Sequence, residues 1–223
     1  MTDQQVNDKQ AKKARVLDAV LAHVMFDGWS EAAIEHAADD LKIDVFTIER
    51  LFPGGTLDLI TFFVQQADDE MEAQLGACDV LSMKIRERIT LAVRLRLEIY
   101  TPHKEAVRNA LTLLALPQNI ALGTRLTAGT VSRMWYATGD TSTDFNYYTK
   151  RLTLSAVYCS TLLCWLDDSS ENAQASWDFL DRRIENVMQF EIAKFKARQF
   201  FSKKPIAPDM LSPARFFRNL KAR

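Results

Sequence analysis

The residues able to do chemistry in this chain are few and dispersed. Its three histidines, His23, His36 and His103, and its three cysteines, Cys78, Cys159 and Cys164, lack the spacing of a tetrahedral metal site or a thiol redox motif. None of the histidines has Glu three residues before it, which removes the Glu-x-x-His arrangement by which helical bundles hold two irons. The acidic runs Asp39-Asp40 and Asp68-Asp69-Glu70 could supply paired carboxylates for acid–base or metal work. On amphipathic helices such runs read as solvated faces. GxSxG, P-loop, dinucleotide-binding and HExxH patterns are missing from the sequence. No catalytic residue, metal ligand or cofactor is therefore expected, and no enzyme activity. The cysteines read as buried and reduced, which fits a reducing cytoplasm.

Chemistry then has to come from apolar volume and from surfaces, and these depend on the elements. With 7 Gly and 6 Pro in 223 residues, 48% of them hydrophobic, the chain has too few turn formers for an all-β fold and ample core material. The spacing predicts an all-α chain. Val16, Leu17, Val20, Leu21 and Val24 mark one face of a first helix, about 11–26, after a disordered stretch at 1–10. Ser30 caps a second helix at 31–41 and a third follows at 45–51. Pro53-Gly54-Gly55 breaks the chain before a fourth helix from Thr56. These helices form a helix-turn-helix-like module at 11–66. Residues 70–82 look less regular. Over 84–100, Leu91, Leu95 and Ile99 keep helical spacing while 94–99 alternates like a strand. A lone strand would have no partner, so helix is expected. Later helices carry Val107 to Leu114, Leu122 to Trp135, about 146–166, and Trp177 to about 201, completing a larger helical domain at 67–201. The uncharged run 152–166 is shorter than the ~20 residues that span a bilayer. The first residues resemble neither a secretory signal nor a transit peptide, so a bacterial cytoplasm is expected, or the mitochondrial matrix side for a processed eukaryotic chain.

Charge is unevenly placed within a net of −1. Between Glu31 and Asp58 seven acidic residues face two basic ones. Phosphate contacts supply most non-specific DNA affinity, so this module is expected to bind no nucleic acid. The third helix, with Phe46, Ile48 and Leu51, suits packing better than base reading. From Lys194 to Arg223 the balance reverses to a net +8, leaving −9 on the rest. After a linker from 202, Ser212-Pro213 opens a terminal helix in which Arg215, Phe216, Phe217, Arg218, Leu220 and Lys221 combine aromatic and basic side chains. That pattern suits peripheral docking on an anionic membrane.

Three stretches carry a resemblance: LFPGGTLDLI at 51–60, MWYATGDTSTDFNYYTKR at 134–151 and LDDSSENAQASWDFLDRRI at 166–184. With them the chain, over roughly 12–201, resembles the lipid-binding accessory proteins of ubiquinone (coenzyme Q) biosynthesis, the family of the ninth yeast coenzyme Q protein. The resemblance implies a TetR-like helical bundle that has lost DNA binding and forms a homodimer. It implies an apolar pocket holding an isoprenoid quinone intermediate or a phospholipid. It implies a surface patch, here Met134, Asp144, Tyr147 and Tyr148, that engages the di-iron demethoxyubiquinone hydroxylase. Tyr147 stands where Trp is usual. Lining residues expected from the apolar stripes are Leu95, Ile99, Leu114, Leu154, Tyr158 and Leu162. Arg151 and Asp178, within the shared motifs, are expected in structural ion pairs. The alternative is a ligand-responsive TetR-family transcriptional regulator.

Overall fold

The structure, a computed structural model, describes residues 3–140 and 145–203. Among these residues the elements are α1 (Asp3–Asp27), α2 (Glu31–Leu41), α3 (Val45–Leu51), α4 (Thr56–Gly76), α5 (Ile85–Ile99), α6 (Lys104–Leu114), α7 (Ile120–Ala137), α8 (Phe145–Asp167) and α9 (Gln174–Lys203), joined by short turns, three of them 3-10. The chain forms two compact units that divide between Asp181 and Arg182, within α9. The core, the cavity and the aromatic face below belong to the first. In the second, Met188 and Phe190 of α9 are exposed. The terminal basic segment from 204 lies outside the described residues, as do the six positions expected there to meet a membrane.

Local chemistry sets the first helices. The Ser30 side chain accepts from the Ala33 amide and opens α2, and Lys42 closes it in a left-handed conformation. The Asp44 carboxylate accepts from the Phe46 amide and opens α3. The break before α4 needs both its glycines. A Cβ on Gly54 would sit 2.5 Å from the Asp58 carboxylate, which accepts from the Gly54 amide at 2.7 Å, and Gly55 has φ of 58°. The sequence LFPGGTLD thus encodes a tight helix start.

Tertiary packing changes several expectations. Residues 3–10 continue α1, since Gln and Lys there favour helix and neither Gly nor Pro intervenes. The α4 helix runs unbroken through the expected boundary at 66/67 and the supposedly irregular 70–76, because Ala67, Met71 and Leu75 are buried one turn apart. Segment 85–99 is helical, with Ile89, Val93 and Leu97 facing inward. Ile48 of α3 is buried, whereas Phe46 is 68% exposed instead of packed. Cys78 and Cys159 are exposed and Cys164 half-buried, so none is the core residue expected. None of the described helices is long and apolar enough to cross a membrane.

The α1–α2 pair is pinned to the bundle by Trp29, whose buried indole Nε1 donates to the Ala106 carbonyl of α6 at 2.8 Å. Asn109 of α6 donates back to the Val24 carbonyl of α1. Trp29→Phe removes this bond and part of the buried ring, and is expected to cost about 1–3 kcal/mol. Urea denaturation followed by circular dichroism should show that loss with native helicity unchanged.

Candidate functional site

Helices α4 to α8 surround a small cavity of about 50 Å³. Its walls are mainly apolar: Val107, Ala110 and Leu114 from α6, Leu126 from α7, and Leu162 from α8. Gly123 of α7 lies so close to Leu114 that a Cβ there would meet Leu114 Cβ at 3.3 Å, which closes the α6–α7 side. Beyond Phe63 and Tyr100, whose rings stand 4.9 Å apart, a surface groove of about 460 Å³ opens among residues of α1, α4 and α5. The two rings line both spaces. Asp18, Asp69 and Glu70 give the groove an acidic rim.

One wall of the cavity is charged. Arg96 of α5 is wholly buried and donates from Nε to Asp68 Oδ1 at 2.7 Å. Its Nη2 donates to the Val64 carbonyl and the Tyr100 hydroxyl. Thr130 of α7 donates to the second Asp68 oxygen at 3.0 Å. Asp68 is therefore no part of a solvated face: it is 3% exposed and joins α4, α5 and α7. Burial raises its carboxyl above the usual range, against the pull of Arg96 and Thr130. Burial likewise raises the Tyr158 phenol, opposed by the nearby guanidinium. The Nη1 nitrogen of Arg96 has no hydrogen-bond partner. A buried donor in this condition costs free energy until an acceptor reaches it.

A second feature lies on α7 and α8, which also line the cavity. Tyr136 of α7 and Tyr148 and Leu152 of α8 are exposed, with Tyr147 half-buried beside them. The Tyr147 and Tyr148 rings meet edge to face at 5.1 Å. Arg151 lies beneath, its guanidinium 3.4 Å from the Tyr147 ring centre and 4.9 Å from that of Tyr136. Its Nη1 pairs with Asp140, so the expected structural ion pair is present, while Nη2 finds only ring faces. Tyr136 donates to the Tyr147 hydroxyl, which raises the first phenol and lowers the second. Asp178, also expected in an ion pair, instead accepts from Gln174 one turn earlier on α9.

The comparisons with known proteins fall on these helices. A family profile described as COQ9 matches residues 120–191, which spans α7, α8 and part of α9. A rat protein named "Ubiquinone biosynthesis protein COQ9, mitochondrial" is 34% identical over 183 residues, 78% of this chain and 58% of the relative. The human protein of that name is 33% identical over 183 residues, 78% of this chain and 57% of the relative. The chain belongs to the COQ9 family. It spans less than two thirds of the length of these curated relatives. Their name states a pathway and no enzyme activity. A solved TetR transcriptional regulator from Nitrosomonas europaea superposes with a TM-score of 0.67 at 19% identity, covering 78% of this chain and 97% of that one. The fold is therefore TetR-like and all-α, as the sequence led one to expect.

Of the six lining residues expected in this COQ9 relative, Leu114, Tyr158 and Leu162 line the cavity. Ile99 lines the outer groove. Leu154 is buried in the core without reaching either space, and Leu95 is half-buried on another side of α5. Among the patch residues, Tyr147 and Tyr148 stand together, with Tyr148 71% exposed. Met134 is 0% exposed. It faces the core from α7 and cannot contribute to a surface, which corrects the expectation. Asp144 lies outside the described residues. Two participants went unnoticed. Tyr136 sits inside the shared motif 134–151, which was its only signal, and Arg96 occupied a helix position where charge ordinarily means solvent.

Arg96→Met strands the Asp68 carboxyl in the core and is expected to cost about 3–5 kcal/mol. The double change Asp68→Leu with Arg96→Met should recover most of that loss. Paired urea titrations of the three proteins check the sign of the coupling.

Proposed function

We propose that this chain is a non-catalytic lipid-binding accessory protein of ubiquinone biosynthesis. It holds an isoprenoid quinone intermediate, or a phospholipid in its place, and presents it to the di-iron demethoxyubiquinone hydroxylase. The observation that carries the reading is a largely apolar cavity lined by one buried guanidinium, that of Arg96, whose Nη1 has no hydrogen-bond partner. A prenyl chain binds by area burial, at about 0.8 kcal/mol per methylene, and a carbonyl or hydroxyl oxygen meets the Arg96 donor. Since Asp68 already neutralises Arg96, a neutral acceptor suits the site better than an anion.

At about 50 Å³ the closed cavity is far below the roughly 300–1,000 Å³ of ligand sites. Movement of the Phe63 and Tyr100 rings joins it to the outer groove, and the combined space falls within that range. The relatives' name, with ubiquinone biosynthesis and mitochondria in it, supports the pathway. Location follows as the surface of the inner membrane, on the cytoplasmic side in a bacterium or the matrix side in a mitochondrion, with the basic segment from Lys194 supplying the attraction. Leu152, Ala156, Cys159 and Leu163 form an exposed, largely apolar stripe at alternating four- and three-residue steps along α8, which suits a homodimer seam.

Native mass spectrometry on protein purified from its host should show a prenylquinone or phospholipid released from the wild-type chain. Thr127→Phe, which fills the cavity, should lose it. An empty wild-type protein, or equal loading of both, would remove the carrier reading. For the partner, Tyr148→Ala deletes an exposed ring and leaves the core alone. It is expected to weaken hydroxylase binding by tenfold or more in a pull-down or by calorimetry, as loss of a central aromatic anchor does.

A further inference from the structure

On α1 and α2 the same pair of residue types recurs at the same interval: His23 and Asp27 on one helix, His36 and Asp40 on the other. A four-residue step puts each pair on one helical face. The two helices run antiparallel, so the pairs meet crosswise. His23 Nε2 lies 2.7 Å from Asp40 Oδ2, and His36 Nδ1 lies 2.8 Å from Asp27 Oδ2. The two imidazole rings stand 5.3 Å apart between their centres. One ligand-capable atom from each of His23, Asp27 and His36 lies within 4.8 Å of the others. All four side chains reach solvent.

We propose that His23, Asp27 and His36 form a site for a divalent transition-metal ion of the zinc class. Two imidazoles and one carboxylate are the ligand types of such ions and not of magnesium or calcium, which take oxygen. Ligand atoms around tetrahedral zinc stand about 3.3 Å apart, given bonds of about 2.0–2.1 Å. The present separations reach that arrangement by side-chain rotation, without moving a helix. The His23–Asp40 and His36–Asp27 contacts already orient both rings, and an ion takes the place of the proton shared by His36 and Asp27. The fourth position is left to water. Asp40, already held on His23, stays outside the ligand set and accepts from that water. Thirteen residues separate the two histidines, and only the antiparallel packing of α1 on α2 brings them together. The ion would fasten these two helices to each other. This inference rests on the N-terminal helices alone and is independent of the lipid-binding reading.

The test uses the full chain stripped of metal and kept reduced. Isothermal titration with zinc chloride is expected to give one ion per chain with micromolar or tighter affinity, together with a rise in melting temperature. Magnesium chloride should give neither. His23→Gln and His36→Gln each should weaken zinc binding by tenfold or more, with helicity retained because both positions are open to solvent. Asp40→Asn should keep most of it. Cobalt substitution should give the intense visible bands of a tetrahedral site, absent in both histidine variants. No one-to-one zinc binding, or zinc binding of equal strength in the two histidine variants, overturns the proposal; the second outcome would assign the ion to the cysteines.

Discussion

The buried pair between Arg96 and Asp68 is the interaction on which the architecture of the first unit depends. Three helices meet there. Asp68 comes from α4, Arg96 from α5, and Thr130 of α7 takes the remaining carboxylate oxygen. Such a pair is a poor source of net stability, because removing two charges from water costs nearly what their attraction returns. Its consequence is positional. Any relative slide of α4, α5 or α7 would strand a charge in the core, so the register of the three helices is fixed by a penalty on every alternative. Packing of Leu97, Met71 and Val131 alone would tolerate small shifts.

That constraint also shapes the cavity. Tyr100 accepts from Arg96 and stacks against Phe63, so the aromatic wall between the inner cavity and the outer groove is hung from the charged cluster. Arg96, whose Nη1 has no hydrogen-bond partner, lines the same cavity. The guanidinium is thus held at the wall of an apolar chamber by partners at Nε and Nη2, with Nη1 left unpaired. The aromatic face formed by Tyr136, Tyr147 and Tyr148 is mounted on α7 and α8, the helices that also carry Thr127, Thr130, Tyr158 and Leu162. A change in the cavity and a change at that face therefore pass through the same two rigid elements.

The N-terminal helices belong to a TetR-like fold and carry seven acidic residues against two basic ones between Glu31 and Asp58. The glycines after Phe52-Pro53 serve the turn into α4: Gly54 makes room for the Asp58 carboxylate and Gly55 takes the positive φ. Where a recognition helix would offer basic side chains, α3 offers an exposed Phe46 and sits among acidic neighbours. The likeness to a TetR regulator is a likeness of packing, and packing does not carry the function with it.

Elements that depend on neighbours along the chain are readable from the residues alone. Ser30 as a cap, the break at Pro53-Gly54-Gly55, the helical spacing of Leu17, Val20 and Val24, and the all-α class were legible because propensity, capping and periodicity act within a turn or two of helix. The family was legible in three motifs, and three of the fourteen cavity-lining residues, Leu114, Tyr158 and Leu162, followed from apolar stripes. What only the tertiary structure decided is which faces meet. Met134 and Tyr136 are two residues apart on α7, yet one is enclosed and the other stands in solvent. Asp68 and Asp69 are adjacent, yet one is buried against Arg96 and the other pairs with Arg133 nearer the surface. The acidic run hid that difference, because a sequence displays charge and not its partner 28 residues away. His23 and His36, dispersed along the chain, become neighbours when α2 folds back on α1. Pairings of this kind arise from helix orientation, a property of the packed bundle that no local window of residues contains.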